Sequence, residues 1–162
     1  MSALRLVAFT AAALPVVEPW FDDAETRRWL GDRRWPSMIL RLAASPRMEH
    51  RGRRIHDRHA WIVEEDDAPA GLVDVEVYRD GTAALAFLIA PSRRGRGVGR
   101  RALHAVAEQL AGGRIREVYG GVEANNAASI RCMESAGFIR RSNEPDAEGF
   151  LYLARHLDKV TR

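Results

Sequence analysis

The sequence predicts an α/β protein in which helices flank a single mixed β-sheet. Three observations support this fold class. Residues 72–78 alternate strictly between two sets of side chains, which is the period of a β-strand. Residues 98–110 carry an apolar stripe with the period of an α-helix. Predicted strands and helices then alternate along the second half of the chain, which is typical of a sheet packed against helices.

The first half of the chain predicts strands on either side of a helical segment. In order, the elements are a strand at 4–9, two or three short helices within 14–44, a loop or irregular helix end at 45–59, a strand at 60–65 and a turn at 66–71. Pro19, Gly31 and Pro36 are expected to separate the short helices, because proline and glycine interrupt helical runs. The segment at 45–59 is assigned to a loop because it is polar and basic.

The second half begins with a predicted hairpin. In the strand at 72–78 the valines share one face, and Asp74 and Glu76 lie on the other. Asp80 and Gly81 form the turn, and the next strand, at 83–90, is apolar throughout, which predicts burial on both faces. The remaining elements are a helix at 98–110 ended by glycine, a strand at 116–123, a short helix within 125–137 with an Asn cap and a Gly stop, and two closing strands within 138–141 and 149–157.

Length and composition narrow the class of protein. With 162 residues, 46% of them hydrophobic, the chain is expected to form one domain over residues 1–162. The single cysteine, Cys132, excludes an internal disulfide and a cysteine-rich metal site, and no metal is expected. No run reaches the roughly 20 apolar residues of a membrane span, and the first residues resemble a signal peptide only weakly. We therefore expect a cytoplasmic bacterial protein that has no membrane partner.

The segment at 92–103 combines five arginines with three glycines, directly between an apolar strand and a helix. The first turn of a helix has unpaired N–H groups and partial positive charge, and glycines let an anion approach the backbone. The sequence therefore predicts a phosphate or pyrophosphate site at 94–100. The segment lacks the lysine of the ATP-binding loop, and Arg100 stands where the dinucleotide motif needs its last glycine.

Two motifs carry a resemblance to a known family. Residues 94–99, RGRGVG, fit R-x-x-G-x-G, and residues 126–138 fit N-x-x-S-I-R-x-x-E-x-x-G-F. In this order and at this distance they resemble the GNAT superfamily of N-acetyltransferases. The second motif is similar to that of ribosomal-protein N-terminal acetyltransferases and several antibiotic acetyltransferases. The resemblance covers residues 71–138 and implies the GNAT fold, with a splayed central strand pair.

The resemblance implies acetyl-CoA as cosubstrate. In this family the loop amides hold the pyrophosphate, and the pantetheine arm pairs with the splayed strand. A backbone N–H of that strand, near a bulge at Leu88 and Ile89, would stabilise the oxygen of the reacting carbonyl. The residues that the resemblance assigns to acetyl-CoA are Phe87, Leu88, Ile89, Arg94, Gly95, Arg96, Gly97, Val98, Gly99, Arg100, Asn126 and Ser129.

The residues that would handle protons depart from the pattern of better-known members. Met133 stands where many members have a tyrosine general acid, and Ala84 stands where many have a glutamate base. Ser129 is the nearest candidate to assist the leaving thiolate. Glu76, with Asp74 on the same strand face, is the candidate base acting through water. The more remote candidates are Tyr119 and Tyr152.

The resemblance implies transfer of an acetyl group to a primary amine of a small molecule, such as an antibiotic or another metabolite. Acetylation of a peptide or protein N-terminus and a non-catalytic acyl-CoA sensor are the alternatives. A nucleic-acid-binding module would also use an arginine-rich loop, but acidic residues alternate with the arginines over most of the chain, and no nucleic-acid partner is expected. Charge does not identify the acceptor, and a monomer or a homodimer fits equally well.

Overall fold

The computed structural model describes residues 3–44 and 49–157. Its strands are β1 (Leu4–Ala8), β2 (Glu49–His50), β3 (Arg53–Glu65), β4 (Ala68–Tyr78), β5 (Thr82–Ile89), β6 (Glu117–Glu123), β7 (Ile139–Arg140) and β8 (Phe150–His156). Its helices are α1 (Leu14–Val17), α2 (Ala24–Leu30), α3 (Trp35–Ala44), α4 (Val98–Leu110) and α5 (Ala127–Ser135). None of these helices is long and apolar enough to cross a membrane.

The strands form one mixed sheet, which confirms the predicted fold class. Its order is β1-β3-β4-β5-β6-β8-β7, and β2 pairs with β3. All neighbouring strands are antiparallel except β5 and β6, which are parallel. Antiparallel neighbours can be joined by short turns, whereas the parallel pair needs the crossover that α4 supplies. The helix predicted at 98–110 is therefore α4, the crossover that connects β5 to its parallel neighbour β6.

Helices cover both faces of the sheet. The valines of β4 at 73, 75 and 77 pack on the apolar stripe of α4, which is buried from Val98 to Leu110 as predicted, and on α5. On the other face, Leu72 packs with residues from α1 and α3, among them Val17 and Ile39. Alternate residues of β4 thus belong to two separate apolar clusters, one on each face of the sheet, because successive strand side chains point to opposite faces.

The helical segment at 14–44 ends and restarts close to the predicted positions, with one correction. Gly31, at φ 100°, follows the last residue of α2, and Asp23 caps the start of α2 by accepting a hydrogen bond from the Thr26 N–H at 2.9 Å. Pro36 does not separate two helices but lies in the first turn of α3. A proline is accommodated there because the first turn has no intrahelical partner for its missing N–H.

The loop predicted at 45–59 is wrong for most of the described part of that segment. Strand β3 starts at Arg53, and a tight turn at Arg51 and Gly52, both with positive φ, joins it to β2. The prediction took polar residues as a sign of an exposed loop. The side chain of Arg58, however, is only 8% exposed and is bound to carboxylates of β4. Residues 45–48 of the predicted loop lie outside the described residues.

Candidate functional site

The central strands β5 and β6 separate shortly after they start to pair. Their parallel pairing comprises residues 82–84 with 117–119, and beyond it the two strands diverge around a cavity of about 540 Å³. The cavity is lined by residues 85–89 of β5 and 120–123 of β6, together with parts of α2, α4 and α5. The predicted split of the central strands is therefore present. The bulge expected at Leu88 is not, because β5 keeps an unbroken register with β4 from Ala83 to Ile89.

Backbone groups of β5 are left without a strand partner along this split. The Ala90 N–H donates to the Ala70 carbonyl at 2.8 Å. Hydrogen-bonded pairs alternate in an antiparallel ladder, so the peptide groups of Leu88 also face β4. Those of Phe87 and Ile89 face the cavity instead. Of the two residues near which the sequence places the donor, Leu88 and Ile89, only Ile89 turns its N–H to the cavity. The Ile89 carbonyl accepts a hydrogen bond from Arg94 Nε at 3.3 Å.

The facing edge of β6 shows the same alternation. The Ala124 N–H donates to the Gly149 carbonyl at 2.9 Å, which assigns the even-numbered residues of β6 to β8. Gly121 then presents its N–H and carbonyl to the split, and Glu123 presents its N–H, since the Glu123 carbonyl accepts a hydrogen bond from the Asn126 N–H at 2.9 Å. Two strand edges with unpaired donors and acceptors face each other across the cavity, and an extended polar chain inserted between them would satisfy both.

The outward face of β5 beside the split carries small side chains. Ala84 and Ala86 are half-buried, which corrects the prediction that this strand is buried on both faces. The difference arises because β5 borders a cavity on that side. Gly121 continues the small-residue surface on β6, and the ring of Tyr152 rests against it. We call Ala84, Ala86 and Gly121 the small-residue floor.

Helix α2 forms a wall above this floor. Its residues Glu25, Thr26, Trp29 and Leu30 line the cavity. The indole Nε1 of Trp29 is buried and has no hydrogen-bond partner among the described residues. A buried donor without a partner costs about 1–3 kcal/mol, so a ligand that accepts this hydrogen bond would gain from it. The sequence allows the tryptophans of this helical segment either to form an apolar wall or to pack on the sheet, and nothing local singles out Trp29 for the wall.

The glycine loop adopts the conformation that an anion site needs. Gly95 and Gly97 have φ of 73° and 75°, a region that other residues rarely adopt, and Gly97 directly precedes α4. The first hydrogen bond of α4 runs from the Arg101 N–H to the Gly97 carbonyl at 3.1 Å. In the described part of the chain, the N–H groups of Val98, Gly99 and Arg100 have no acceptor. These groups lie at the positive end of the helix dipole.

Gly99 is required for a different reason, which is steric. A Cβ at this position would lie 2.7 Å from the Sγ of Cys132, so the absence of a side chain lets α5 approach the start of α4. Burial raises the pKa of the Cys132 thiol, which favours the protonated form. Cys132 therefore belongs to the packing between the two helices and is a poor nucleophile.

The loop arginines divide into two groups. Arg93 and Arg101 both bind Glu65, at the end of β3. Arg94 donates to Asp23 at 3.0 Å and to the Thr26 hydroxyl at 2.6 Å, so it ties the loop to α2 while also lining the cavity. Arg96 and Arg100 are exposed, and no carboxylate partner is found for them within residues 3–44 and 49–157.

The start of α5 brings the second motif to the same cavity. Asn126 caps the helix, and its Oδ1 accepts a hydrogen bond from the Ser129 N–H at 3.3 Å. Asn126, Ser129 and the exposed Arg131 all line the cavity. Met133 is 1% exposed and its methyl group contacts Gly120, where a thioether fills space but has no proton to donate.

Glu76 lies outside the cavity, in a cluster of charged residues on the α2 side of the sheet. Its Oε1 accepts hydrogen bonds from the Tyr78 hydroxyl at 2.5 Å and from His50, and its Oε2 accepts one from Arg58 at 2.9 Å. Burial acts to raise the pKa of Glu76, but the hydrogen bonds from Tyr78 and His50 outweigh it and lower the pKa. Asp74, bound to the same Arg58, has a pKa raised by burial.

Comparison with known proteins agrees with this geometry. A model of the acetyltransferase (GNAT) family matches residues 17–138. An uncharacterized N-acetyltransferase of Bacillus subtilis strain 168, YfmK, is 30% identical over 142 residues, which are 86% of this chain and 88% of that protein.

Solved structures share the fold. The aminoglycoside acetyltransferase AAC(6')-Ib in complex with coenzyme A has a TM-score of 0.76 at 19% identity, covering 95% of each chain. The Salmonella typhimurium acetyl transferase that modifies the N-terminal serine of ribosomal protein L7/L12 also has a TM-score of 0.76, at 17% identity, covering 96% of this chain and 95% of its own.

Proposed function

The chain belongs to the acetyltransferase (GNAT) family and is therefore an N-acetyltransferase that uses acetyl-CoA, and we propose that its acceptor is the primary amine of a small molecule. The observation that carries this proposal is the cavity between β5 and β6, which opens onto the small-residue floor. Acetyl-CoA supplies the acetyl group from one side of the split. The amine would approach from the side of α2.

The residues around the split fit coenzyme A. The unpaired N–H groups at the start of α4 would bind the pyrophosphate, since a helix N-terminus favours an anion. Arg96 and Arg100, which have no carboxylate partner in the described ranges, would add positive charge. The unpaired peptide groups of Phe87 and Gly121 would hold the extended pantetheine arm as a strand holds its neighbour. Asn126 would position the start of α5 against the same arm.

Two groups suit the reacting end of the site. The N–H of Phe87 or of Ile89, rather than that of Leu88, would donate to the oxygen that gains charge as the amine attacks. The Ser129 hydroxyl lines the cavity and makes no hydrogen bond within the described part of the chain, so it would donate to the leaving sulfur. Met133 cannot take that role because it lacks an acidic proton.

The acceptor would lie above the small-residue floor, with Trp29 as a wall. Alanine and glycine leave room there for a compact amine, and the half-buried Glu123 at the rim would attract its positive charge. The likeness in fold to an aminoglycoside acetyltransferase supports a small-molecule acceptor. An equally similar fold in an enzyme that modifies an N-terminal serine supports a peptide as the second candidate.

The test of the cofactor site is calorimetric titration of coenzyme A into the wild-type protein and two glycine variants. Gly97→Val should raise the Kd about 10-fold, because valine at positive φ costs about 1–2 kcal/mol and displaces the loop amides. Gly112→Val is the matched control, since its φ of 82° lies at the far end of α4, and its Kd should not change. Wild-type affinity in Gly97→Val would contradict the assignment of the loop.

The acceptor class is tested by measuring thiol release from acetyl-CoA with an aminoglycoside, an aliphatic diamine and a peptide that begins with serine. Turnover with either small amine, well above that with the peptide, is expected. Turnover with the peptide alone would replace the small-molecule proposal with the second candidate. If the protein binds coenzyme A but acetylates none of the three, the proposed acceptor class is wrong.

A further inference from the structure

His50 and Glu76 form a hydrogen-bonded pair that the cofactor site does not use. The imidazole Nδ1 of His50 lies 2.7 Å from Oε1 of Glu76. An ionised carboxylate can only accept hydrogen bonds, so this contact places the proton of a neutral imidazole on Nδ1. The other nitrogen, Nε2, then carries the free lone pair, on a side chain that is 41% exposed.

The carboxylate of Glu76 is not suited to take a proton itself. Both of its oxygens already accept hydrogen bonds, from Tyr78 and His50 on one side and from Arg58 on the other. These donors stabilise the ionised form, and a strongly stabilised carboxylate is a weak base. The role that the sequence suggested for Glu76 is therefore better met by the lone pair of its partner, His50.

The strand register places this pair beside the narrow end of the cavity. Glu76 lies opposite Ala84, which is the last residue of β5 that pairs with β6. Directly opposed residues have Cα atoms about 5 Å apart and point to the same face. The next residue along β5, Leu85, already lines the cavity. His50 and Glu76 thus stand at the edge of the small-residue floor.

We propose that His50 is the general base of the acetyl transfer and that Glu76 is a positioning residue that fixes its tautomer. The proposal rests on the proposed function, because it needs an amine above the floor. Nε2 of His50 takes one proton from the acceptor ammonium, directly or through a water molecule, and later releases it to solvent. The nitrogen lone pair forms the N–C bond, the C–S bond breaks, and the second nitrogen proton leaves with the sulfur as a thiol.

The charges around His50 suit this role. The titratable and charged groups near it are Glu76 and Tyr78 on β4, Arg53 and Arg58 on β3, and Glu49 and Arg51 beside it in the chain. Arg58 is shared by Glu76 and Asp74, so two carboxylates have one buried guanidinium between them. One guanidinium balances only one of the two carboxylates. The negative charge of the other would stabilise the imidazolium that forms when His50 takes up a proton.

The kinetic test compares His50→Gln with His56→Gln, an exposed histidine on β3 that serves as the matched control. With the best amine of the acceptor panel, His50→Gln should lower kcat/KM about 100-fold at neutral pH. The deficit should narrow as the pH rises toward the pKa of the amine, because a free amine needs no base. Added imidazole should restore part of the activity of a His50→Ala variant. A His50→Gln profile that runs parallel to that of the wild type would overturn the proposal.

A second measurement does not depend on turnover. The ¹⁵N NMR spectrum of the imidazoles should show His50 of the wild type with its proton on Nδ1, and a mixture of tautomers in Glu76→Gln. A His50 ring with its proton on Nε2 would contradict the assignment. Coenzyme A affinity, measured on the same variants, should be unchanged. If the wild-type protein does not bind coenzyme A, the proposed function is refuted. If it binds coenzyme A but the pH profiles of the wild type and His50→Gln are parallel, only the role of His50 is refuted.

Discussion

Around the cavity, the same residue type can be required at two positions for different physical reasons. Gly97 is needed for its backbone conformation, because nothing lies within 4 Å of the place where a Cβ would stand. Gly99 is needed for space, because a Cβ would meet the sulfur of Cys132. Trp29 differs again, since its ring packs in the wall of the cavity while its buried N–H remains without a partner. That N–H is the polar atom most directly available to a ligand.

Replacing Trp29 by phenylalanine should weaken binding of the acceptor substrate without destabilising the free protein. The expected rise in the KM of the acceptor is about 5-fold, equivalent to one hydrogen bond of about 1 kcal/mol. The Tm should not fall, because the lost N–H makes no hydrogen bond within the described residues. Steady-state kinetics and thermal unfolding measure the two quantities. Trp35→Phe, on the neighbouring helix, should leave this KM unchanged, and an unchanged KM in Trp29→Phe would show that the indole N–H does not contact the acceptor.

At the scale of whole elements, the glycine loop connects the cofactor side of the site to the acceptor side. Arg94 reaches from the loop to the cap of α2, where Asp23 and Thr26 accept its hydrogen bonds. The hydrogen bonds from the Thr26 backbone, its hydroxyl and Arg94 lower the pKa of Asp23, so this carboxylate stays charged at neutral pH. Helix α2 then presents Trp29 and Leu30 to the cavity. Arg94 therefore holds the acceptor wall in place relative to the loop.

The Arg94→Ala variant should affect the acceptor more than the cosubstrate. The Kd of coenzyme A should rise only about 3-fold, since backbone amides provide most of the proposed grip. The KM of the amine should rise further, because α2 loses a contact worth up to about 1 kcal/mol for a partly exposed ion pair. Steady-state kinetics and calorimetry separate these effects. Arg33→Ala, which removes an exposed pair with Asp22, is the control and should change neither constant. A larger effect on coenzyme A than on the amine would show that Arg94 binds the cosubstrate.

At the scale of the whole molecule, ion pairs join elements that are far apart in the sequence. Glu65, which is 5% exposed at the end of β3, binds Arg93 of the loop and Arg101 of α4. The hydrogen bond from Arg101, followed by that from Arg93, lowers the pKa of Glu65. At the opposite end of the sheet, burial disfavours the charge of Asp80, but hydrogen bonds from Thr82 and Arg53 outweigh burial and lower its pKa to about 2.

These lowered pKa values predict how stability depends on pH. A carboxyl whose pKa is lower in the folded protein stabilises it above its unfolded-state pKa of roughly 4, and this contribution is lost as the pH falls through the folded-state pKa. Glu65→Gln should therefore lower the free energy of unfolding by about 2 kcal/mol at pH 7, through the loss of charge-assisted hydrogen bonds. The difference in the free energy of unfolding between the wild type and Glu65→Gln should shrink toward roughly pH 3, because the Glu65 carboxylate of the wild type becomes protonated as the pH falls.

Urea unfolding at a series of pH values measures this difference. The control is Glu64→Gln, one residue away, whose partner Arg5 is 62% exposed, so that the pair contributes much less to stability. A Glu65→Gln deficit that stayed constant from neutral to acid pH would show that the ionisation of Glu65 does not contribute. A deficit no larger than that of Glu64→Gln would show that the pair with the two arginines is dispensable.

The sequence by itself determined the order of most elements, the glycine turn before α4 and the helix that follows it. These features depend on residues close together in the chain: the alternation in β4, the stripe of α4, and glycines at fixed distances from a helix start. The same local patterns carry both motifs of the family. These local patterns could not predict where β3 starts, because polar residues of this strand such as Arg58 find their partners on another strand, β4.

Only the tertiary structure decided which groups face the split between β5 and β6. Whether a peptide group points to β4 or to the cavity depends on the register between strands, which turns the N–H of Leu88 to β4 and that of Ile89 to the cavity. Arg94 meets Asp23, and His50 meets Glu76, across large separations in sequence. Such contacts are fixed by the packing of elements that are far apart in the chain, which no local pattern records, and for that reason the proposed base, His50, could be named only from the fold.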